Sequence, residues 1–185
     1  MRVIAGSRRS MPLKAPVGLD TRPTQDRTKE TLFNVIQNEI PGSVFVDLFA
    51  GSGGIGIEAL SRGAKVAYFV ENGKAAIGCI KDNLKFTKFE NESKLLEMDV
   101  MLGLEKIKCE QEVDIIFMDP PYNSGAEQTV LNGLTRMPYV TEYTTIIVES
   151  LLDADFAYLD NIGLEIYKVK RYKSNQHVFI RRKEG

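Results

Sequence analysis

Residues 44–56 read VFVDLFAGSGGIG. An apolar run from Val44 to Phe49, broken only by Asp47, gives way to glycines at 51, 53 and 56. The pattern predicts a buried strand, a tight turn and the start of a helix. In a G-x-G-x-x-G loop the first two glycines let the backbone turn and approach a ligand, and the third lets the helix sit close to the strand. A dinucleotide, S-adenosylmethionine (SAM) or no ligand at all would suit such a loop. The remainder of the chain has to choose.

Downstream the same alternation repeats. A helix over 53–61 closes at Gly63, and strand 65–70 ends at Glu71 before helix 74–86. Strand 94–98 ends at Asp99 before a short helix over 100–108. Strand 113–118 ends at Asp119, helix 125–136 follows, and strand 144–149 comes next. Strands alternating with helices imply a parallel sheet covered on both faces. Two further strand-like runs, 164–170 and 177–182, have no helix between them and read as an antiparallel hairpin. The expected fold is therefore α/β: a Rossmann-like, mostly parallel seven-stranded sheet closed by a C-terminal antiparallel hairpin, the plan of SAM-dependent methyltransferases. Upstream, Thr24 or Asp26 caps a helix expected to run to about Glu39, where Pro41-Gly42 stops it. Residues 1–25, with prolines at 12, 16 and 23, read as a short β-arm in which 2–5 pairs with 11–14. The expected organisation is a basic arm over 1–25 and one catalytic domain over 26–185.

The chain has 185 residues, 43% hydrophobic and 26% charged, which suits one globular domain with a sizeable core. No apolar run approaches the ~20 residues that span a membrane, and the N-terminus lacks the apolar core of a signal peptide. Cys79 and Cys109 have no CxxC partner and are expected to be buried reduced thiols, so the expected location is the cytoplasm. Metal-ligand spacing is absent. The net charge of −1 conceals two basic ends on an acidic body. Residues 1–30 carry seven basic and three acidic groups, and residues 168–183 carry seven basic groups and no acid. That polarity suggests a face for a polyanion.

In an open parallel sheet, ligands sit beyond the carboxyl ends of the strands. Glu71, 20 residues after Gly51, can accept from both hydroxyls of a ribose. Asp99 can accept from an adenine amino group or cap the following helix. Asp47, costly to bury alone, can reach the loop amides or the ligand's amino group. With Phe49, Ala50, Gly51, Ser52, Gly53, Gly56, Asn72 and Val100 they form the candidate cofactor set. The deciding motif is Asp119-Pro120-Pro121-Tyr122 after the apolar IIFM. Two prolines fix the chain, so carbonyl oxygens are presented rigidly. The Asp119 carboxylate and the Pro120 carbonyl can both accept from one exocyclic amino group, and Tyr122 offers a flat face for a base. Holding both amino hydrogens aims the nitrogen lone pair at a methyl donor. These four residues form the candidate catalytic set. His177, without a Ser, Cys or metal-ligand pattern around it, is expected to be structural. Phe33 fits the core or the cofactor equally.

IFMDPPY is similar to the signature of amino-methyltransferases acting on adenine N6, guanine N2 and glutamine side chains. More narrowly, the chain resembles the RsmD family of small bacterial rRNA guanine-N2 methyltransferases. The matching pieces are VIAG at 3–6, RPTQDRTKETLFN at 22–34, VDLFAGSGGIGIEALSRGA at 46–64, Glu71, MDPPY at 118–122 and the closing hairpin. Members usually have a glycine near Ser10 and another where this chain has Lys173. The resemblance implies SAM as cofactor and a guanine N2 in 16S rRNA of the small subunit, or of its assembly intermediate, as target. It also gives the basic ends a role: Arg8, Arg9, Lys14, Arg22, Thr24, Arg27, Lys29, Lys170, Arg171 and Lys173 would hold rRNA phosphates. A monomer is expected, with no membrane partner. Competing readings are an adenine-N6 methyltransferase and a nucleoside- or RNA-binding module without catalysis. An NAD oxidoreductase would leave DPPY and the basic ends without a role.

Overall fold

The computed structural model describes residues 1–17, 23–108 and 112–183, without the side chains of residues 23 and 24. Seven strands form one sheet: β1 (Val44–Leu48), β2 (Val66–Glu71), β3 (Ser93–Glu97), β4 (Ile115–Met118), β5 (Thr145–Leu151), β6 (Leu164–Arg171) and β7 (Asn175–Arg182). Their order is β3-β2-β1-β4-β5-β7-β6. The first five strands run parallel, and β7 pairs antiparallel with both β5 and β6. The fold is thus the seven-stranded Rossmann-like sheet expected, hairpin included.

Period-two alternation sorts the sheet's side chains between two cores. One face carries Phe45, Phe69, Ile115, Phe117, Ile147 and Phe179. Helices α1 (Pro23–Val35), α2 (Gly54–Ser61) and α3 (Lys74–Thr87) cover it, together with Val3 and Leu13 of the arm. The other face carries Val46, Leu48, Val70, Ile116, Met118 and Val148. Helices α4 (Val100–Lys106) and α5 (Ala126–Leu134) cover that face. The central strand β1 is buried at all five positions, as a strand covered on both faces must be. Among the described residues no helix is long and apolar enough to cross a membrane.

Several boundaries differ from the sequence reading. Helix α1 starts at Pro23 and ends at Val35, not near Glu39. Proline is well suited to a first helical turn, where its missing N–H has no partner to lose. Ile40 is still buried, so the apolar periodicity that suggested a longer helix serves the core from a turn. A short 3₁₀ helix over Ala157–Ile162 precedes the hairpin and buries Leu159. The hairpin strands are longer than expected and leave only three residues between them. Cys79 is free but only half-buried, and Cys109 lies outside the described residues.

The arm is held by buried polar contacts. Val3 and Met11 pair backbone to backbone at 2.9 Å, with an isolated bridge between Arg2 and Pro12. Glu58 of α2, wholly buried, accepts from the amides of Ile4 and Ala5 at 2.7 and 3.0 Å. The same carboxylate pairs with Arg62 at 2.8 Å and Lys29 at 3.5 Å. Asn83 of α3 clamps the other arm strand, accepting from the Lys14 amide and donating to the Lys14 carbonyl. Gly6 lies so close to α2 that a Cβ there would fall 1.8 Å from the Ser61 carbonyl oxygen.

Removing Glu58 would strand two amides and a buried ammonium together. Glu58→Ala is expected to lower unfolding stability by about 3–5 kcal/mol, the cost of breaking a buried ion pair. Urea denaturation checks this, and a change below about 1 kcal/mol would contradict the clamp.

Candidate active site

The strand order reverses between β1 and β4, both of which leave the sheet at the same edge. That switch point is where open α/β sheets bind ligands. The glycine loop leaves β1 there, and Asp119-Pro120 leaves β4 beside it, since Leu48 and Met118 are in register.

On the β1 side the backbone is contorted to make room. Phe49, Gly51 and Gly53 all have positive φ, at 57°, 57° and 79°. Gly53 is the N-cap of α2 with no side-chain cap, so the loop keeps its amides near the opening. A Cβ at Gly51 would meet nothing within 4 Å, which marks open space over the loop. Gly56 is the opposite case: a Cβ there would lie 2.4 Å from the Phe69 ring on β2. This glycine sets how closely α2 sits on the sheet. Asp47, 1% exposed, accepts from the Gly56 amide at 2.9 Å. Burial, then the nearby charges of Asp119 and Glu71, push its carboxyl well above the usual range.

Glu71 closes β2 with both oxygens engaged. One accepts from the Gly51 amide at 2.8 Å; the other accepts from Asn72 and Gly73 at 2.9 and 2.8 Å. A carboxylate oxygen accepts more than one hydrogen bond, so Glu71 retains capacity toward a ribose while bracing the loop. Ala50 and Ser52 are buried, Asn72 is exposed, and the Ser52 carbonyl accepts from Asn83 at 2.9 Å. Asp99 caps α4 by accepting from Met101 at 2.9 Å, and Val100 is the first residue of that helix. Capping is thus one job Asp99 performs. Phe33 is wholly buried against Phe45 and belongs to the core.

On the β4 side, Pro120 is buried while Asp119 and Tyr122 reach solvent, Tyr122 at 48%. The turn is locked from behind: Ser124 donates to the Pro121 carbonyl at 2.6 Å and accepts from the Ala126 amide at 3.2 Å. Asn123 takes a positive φ of 56° to complete it. The Asp119 carboxyl is pushed up to about 7 by desolvation and then by the charge of Glu149. Burial, then Glu149 and Asp119, also raise the Tyr122 phenol.

Glu149 and Asn175 were not singled out by sequence reasoning, and His177 was expected to be structural. Glu149 lies one step beyond the Met118–Val148 register pair, beside Asp119, and pairs with His177 across the antiparallel β5–β7 contact. The available signal was an acid closing an apolar strand, as Glu71 and Asp119 do.

The basic residues divide. Arg9 and Arg27 are exposed, as are Lys170, Arg171 and Lys173 at the hairpin end. Lys14 is exposed but paired with Asp82 at 2.7 Å. Arg8 donates to the Thr87 carbonyl at 2.7 Å and lies over the Phe89 ring. Lys29 departs from its expected role: its ammonium is buried, bonded to the Arg2 carbonyl at 2.6 Å and paired with Glu58. It closes the arm instead of facing a phosphate. Arg22 and the Thr24 side chain lie outside the described residues. Among the described residues no cluster suited to a metal ion occurs.

A glycine loop and a DPPY turn meeting at the switch point of this sheet define the class of Rossmann-like methyltransferases. The solved Escherichia coli protein yhhF superposes with a TM-score of 0.83 at 28% identity, covering 100% of this chain and 99% of its own. The family model described as Conserved hypothetical protein 95 matches residues 1–181, and the chain belongs to that family, the RsmD family. Relatives include the Bacillus subtilis protein YlbH, 39% identical over 150 residues, 80% of this chain and 82% of the relative. The Haemophilus influenzae protein named ribosomal RNA small subunit methyltransferase D is 34% identical over 154 residues, covering 83% of this chain and 80% of its own.

Overpacking at a tight glycine costs typically ~1–3 kcal/mol. Gly56→Ala is therefore expected to destabilise the fold by about that amount and to weaken SAM binding by tilting α2. Thermal unfolding and a SAM titration check both, and unchanged values in each would contradict the assigned spacing.

Proposed function

We propose that this chain transfers a methyl group from SAM to the exocyclic N2 amino group of a guanine in 16S rRNA of the small ribosomal subunit. The observation that carries the reading is the adjacency of the glycine loop and the Asp119-Pro120-Pro121-Tyr122 turn at one strand-order switch. Membership of the RsmD family supports it, as does the name of the Haemophilus influenzae relative.

The residues present fit SAM. Open space over Gly51, the loop amides and the carboxylate of Glu71 suit the nucleoside, and Asp47 sits behind them. Bound there, SAM supplies an electrophilic methyl on a sulfonium. Asp119 and the Pro120 carbonyl hold the amino hydrogens, and Tyr122 stacks the flipped base. The nitrogen lone pair forms the new N–C bond as the C–S bond breaks and its electrons return to sulfur. The surplus proton on nitrogen then leaves to the Asp119 carboxylate or to water. No base is required before transfer. Arg9, Arg27, Lys170, Arg171 and Lys173 are exposed and available to rRNA phosphates. The arm over 1–17 extends the domain's surface while its Val3 and Leu13 lie in the core.

Small subunits from cells lacking the protein, incubated with the protein and methyl-labelled SAM, should yield labelled N2-methylguanosine. Asp119→Ala should lower the rate by about 10²-fold or more through lost orientation. Label on adenine N6 would replace the substrate assignment, and absence of label would overturn the enzymatic reading.

Protonation removes one acceptor from Asp119, whose carboxyl is raised to about 7. Since kcat/KM follows the free enzyme, it should rise with pH through about 7 and fall on the acid side. A profile flat down to about pH 5, well below that raised value, would contradict a role for the Asp119 carboxylate.

A further inference from the structure

Three strands bring polar side chains to one level on one face of the sheet. Met118 of β4 is in register with Val148 of β5, so Asp119 neighbours Glu149. Glu149 is in register with His177 of β7. Parallel neighbours in register point to the same face, about 4.8 Å apart. Glu149 therefore stands beside the residue that is to hold the target amino group. Its charge is felt there, since it contributes to raising both Asp119 and Tyr122.

Glu149 is firmly positioned. Asn175 donates to one carboxylate oxygen at 2.6 Å, and His177 Nε2 lies 3.1 Å from the other. With Nε2–H donating to Glu149, His177 Nδ1 is left to accept from the Tyr172 hydroxyl at 2.9 Å. His177 is 1% exposed, and its ring meets the Phe117 ring edge-on at 5.9 Å. The Glu149 side chain is still 19% exposed, and each of its oxygens has a lone pair to spare. Two carboxylates side by side repel each other. A ligand with two adjacent donors on the open side would offset that repulsion.

Among the amino-bearing bases, guanine alone presents such a pair. Its N1–H lies next to its N2 amino group on the Watson–Crick edge. In adenine and cytosine the ring nitrogen beside the amino group is an acceptor, which a carboxylate would repel. We propose that Glu149 accepts the guanine N1–H while Asp119 and Pro120 hold the N2 amino group, so that Glu149 selects guanine. Asn175 and His177 are positioning residues that fix the carboxylate for this contact. The inference rests on the methyl-transfer reading and deepens it by assigning base choice to one residue. A site built to hydrogen-bond a substrate N–H rejects an analogue lacking it far more strongly than an apolar pocket rejects a missing methylene.

The test uses small-subunit RNA carrying 2-aminopurine in place of the target guanine. That base keeps the 2-amino group to be methylated but has an acceptor at N1. Wild-type protein should prefer guanine by about 10²-fold or more in kcat/KM. Glu149→Gln offers an amide donor to the N1 acceptor, and the ratio should fall by at least about 10-fold. Urea denaturation and SAM titration of Glu149→Gln establish that it is folded. A folded variant with the wild-type ratio would overturn the proposal. So would wild-type protein methylating both bases equally, a result that decides the matter even if the variant does not fold. Failure of wild-type protein to methylate guanine N2 at all would instead remove the underlying reading, and this inference with it.

Discussion

Asp47 is an acid buried in β1, an interior strand of the sheet, and its bond to the Gly56 amide joins strand, loop and helix. Burying an acid is costly unless it is hydrogen-bonded or neutral. Here it carries one backbone bond, and its carboxyl is pushed well above the ordinary range. The bond fixes where α2 begins relative to β1. Gly56 can sit there only because it lacks a Cβ, with Phe69 filling the adjacent space. The loop between is then obliged to adopt the left-handed turns at Phe49, Gly51 and Gly53 that open it to a ligand.

From that point the site extends sideways along one edge of the sheet. Glu71 braces the glycine loop on one side, and Asp119 and Glu149 line the other. Carboxyl groups gathered along one edge suit a sulfonium and the donor edge of a base. Exposed cations flank that edge at the hairpin end, where Lys170 is in register with His177 and His177 with Glu149.

Much of this was legible in the sequence because it follows from period and punctuation. The alternation of apolar strands with amphipathic helices gave the parallel sheet, and the helix-free interval between residues 170 and 177 gave the hairpin. The glycine spacing and DPPY marked the two segments that the fold brings side by side at the strand-order switch. Side-chain partners were not legible. Lys29 stood in a basic stretch and looked like a phosphate contact, but its ammonium is drawn inward by Glu58, 29 residues away. Glu149 and His177 come together only through the register of the β5–β7 pairing, which no local pattern encodes. The end of α1 was misplaced because Ile36 and Ile40 keep helical spacing after the helix has stopped.

The central claim is spatial: cofactor and base meet between the glycine loop and the DPPY turn. A crystal structure with S-adenosylhomocysteine and a guanosine-containing RNA fragment tests it most directly. The account predicts the ribose on Glu71, the guanine over Tyr122, and its N2 within hydrogen-bond distance of both the Asp119 carboxylate and the Pro120 carbonyl. A guanine bound away from this turn, or a nucleoside bound away from the glycine loop, would contradict it.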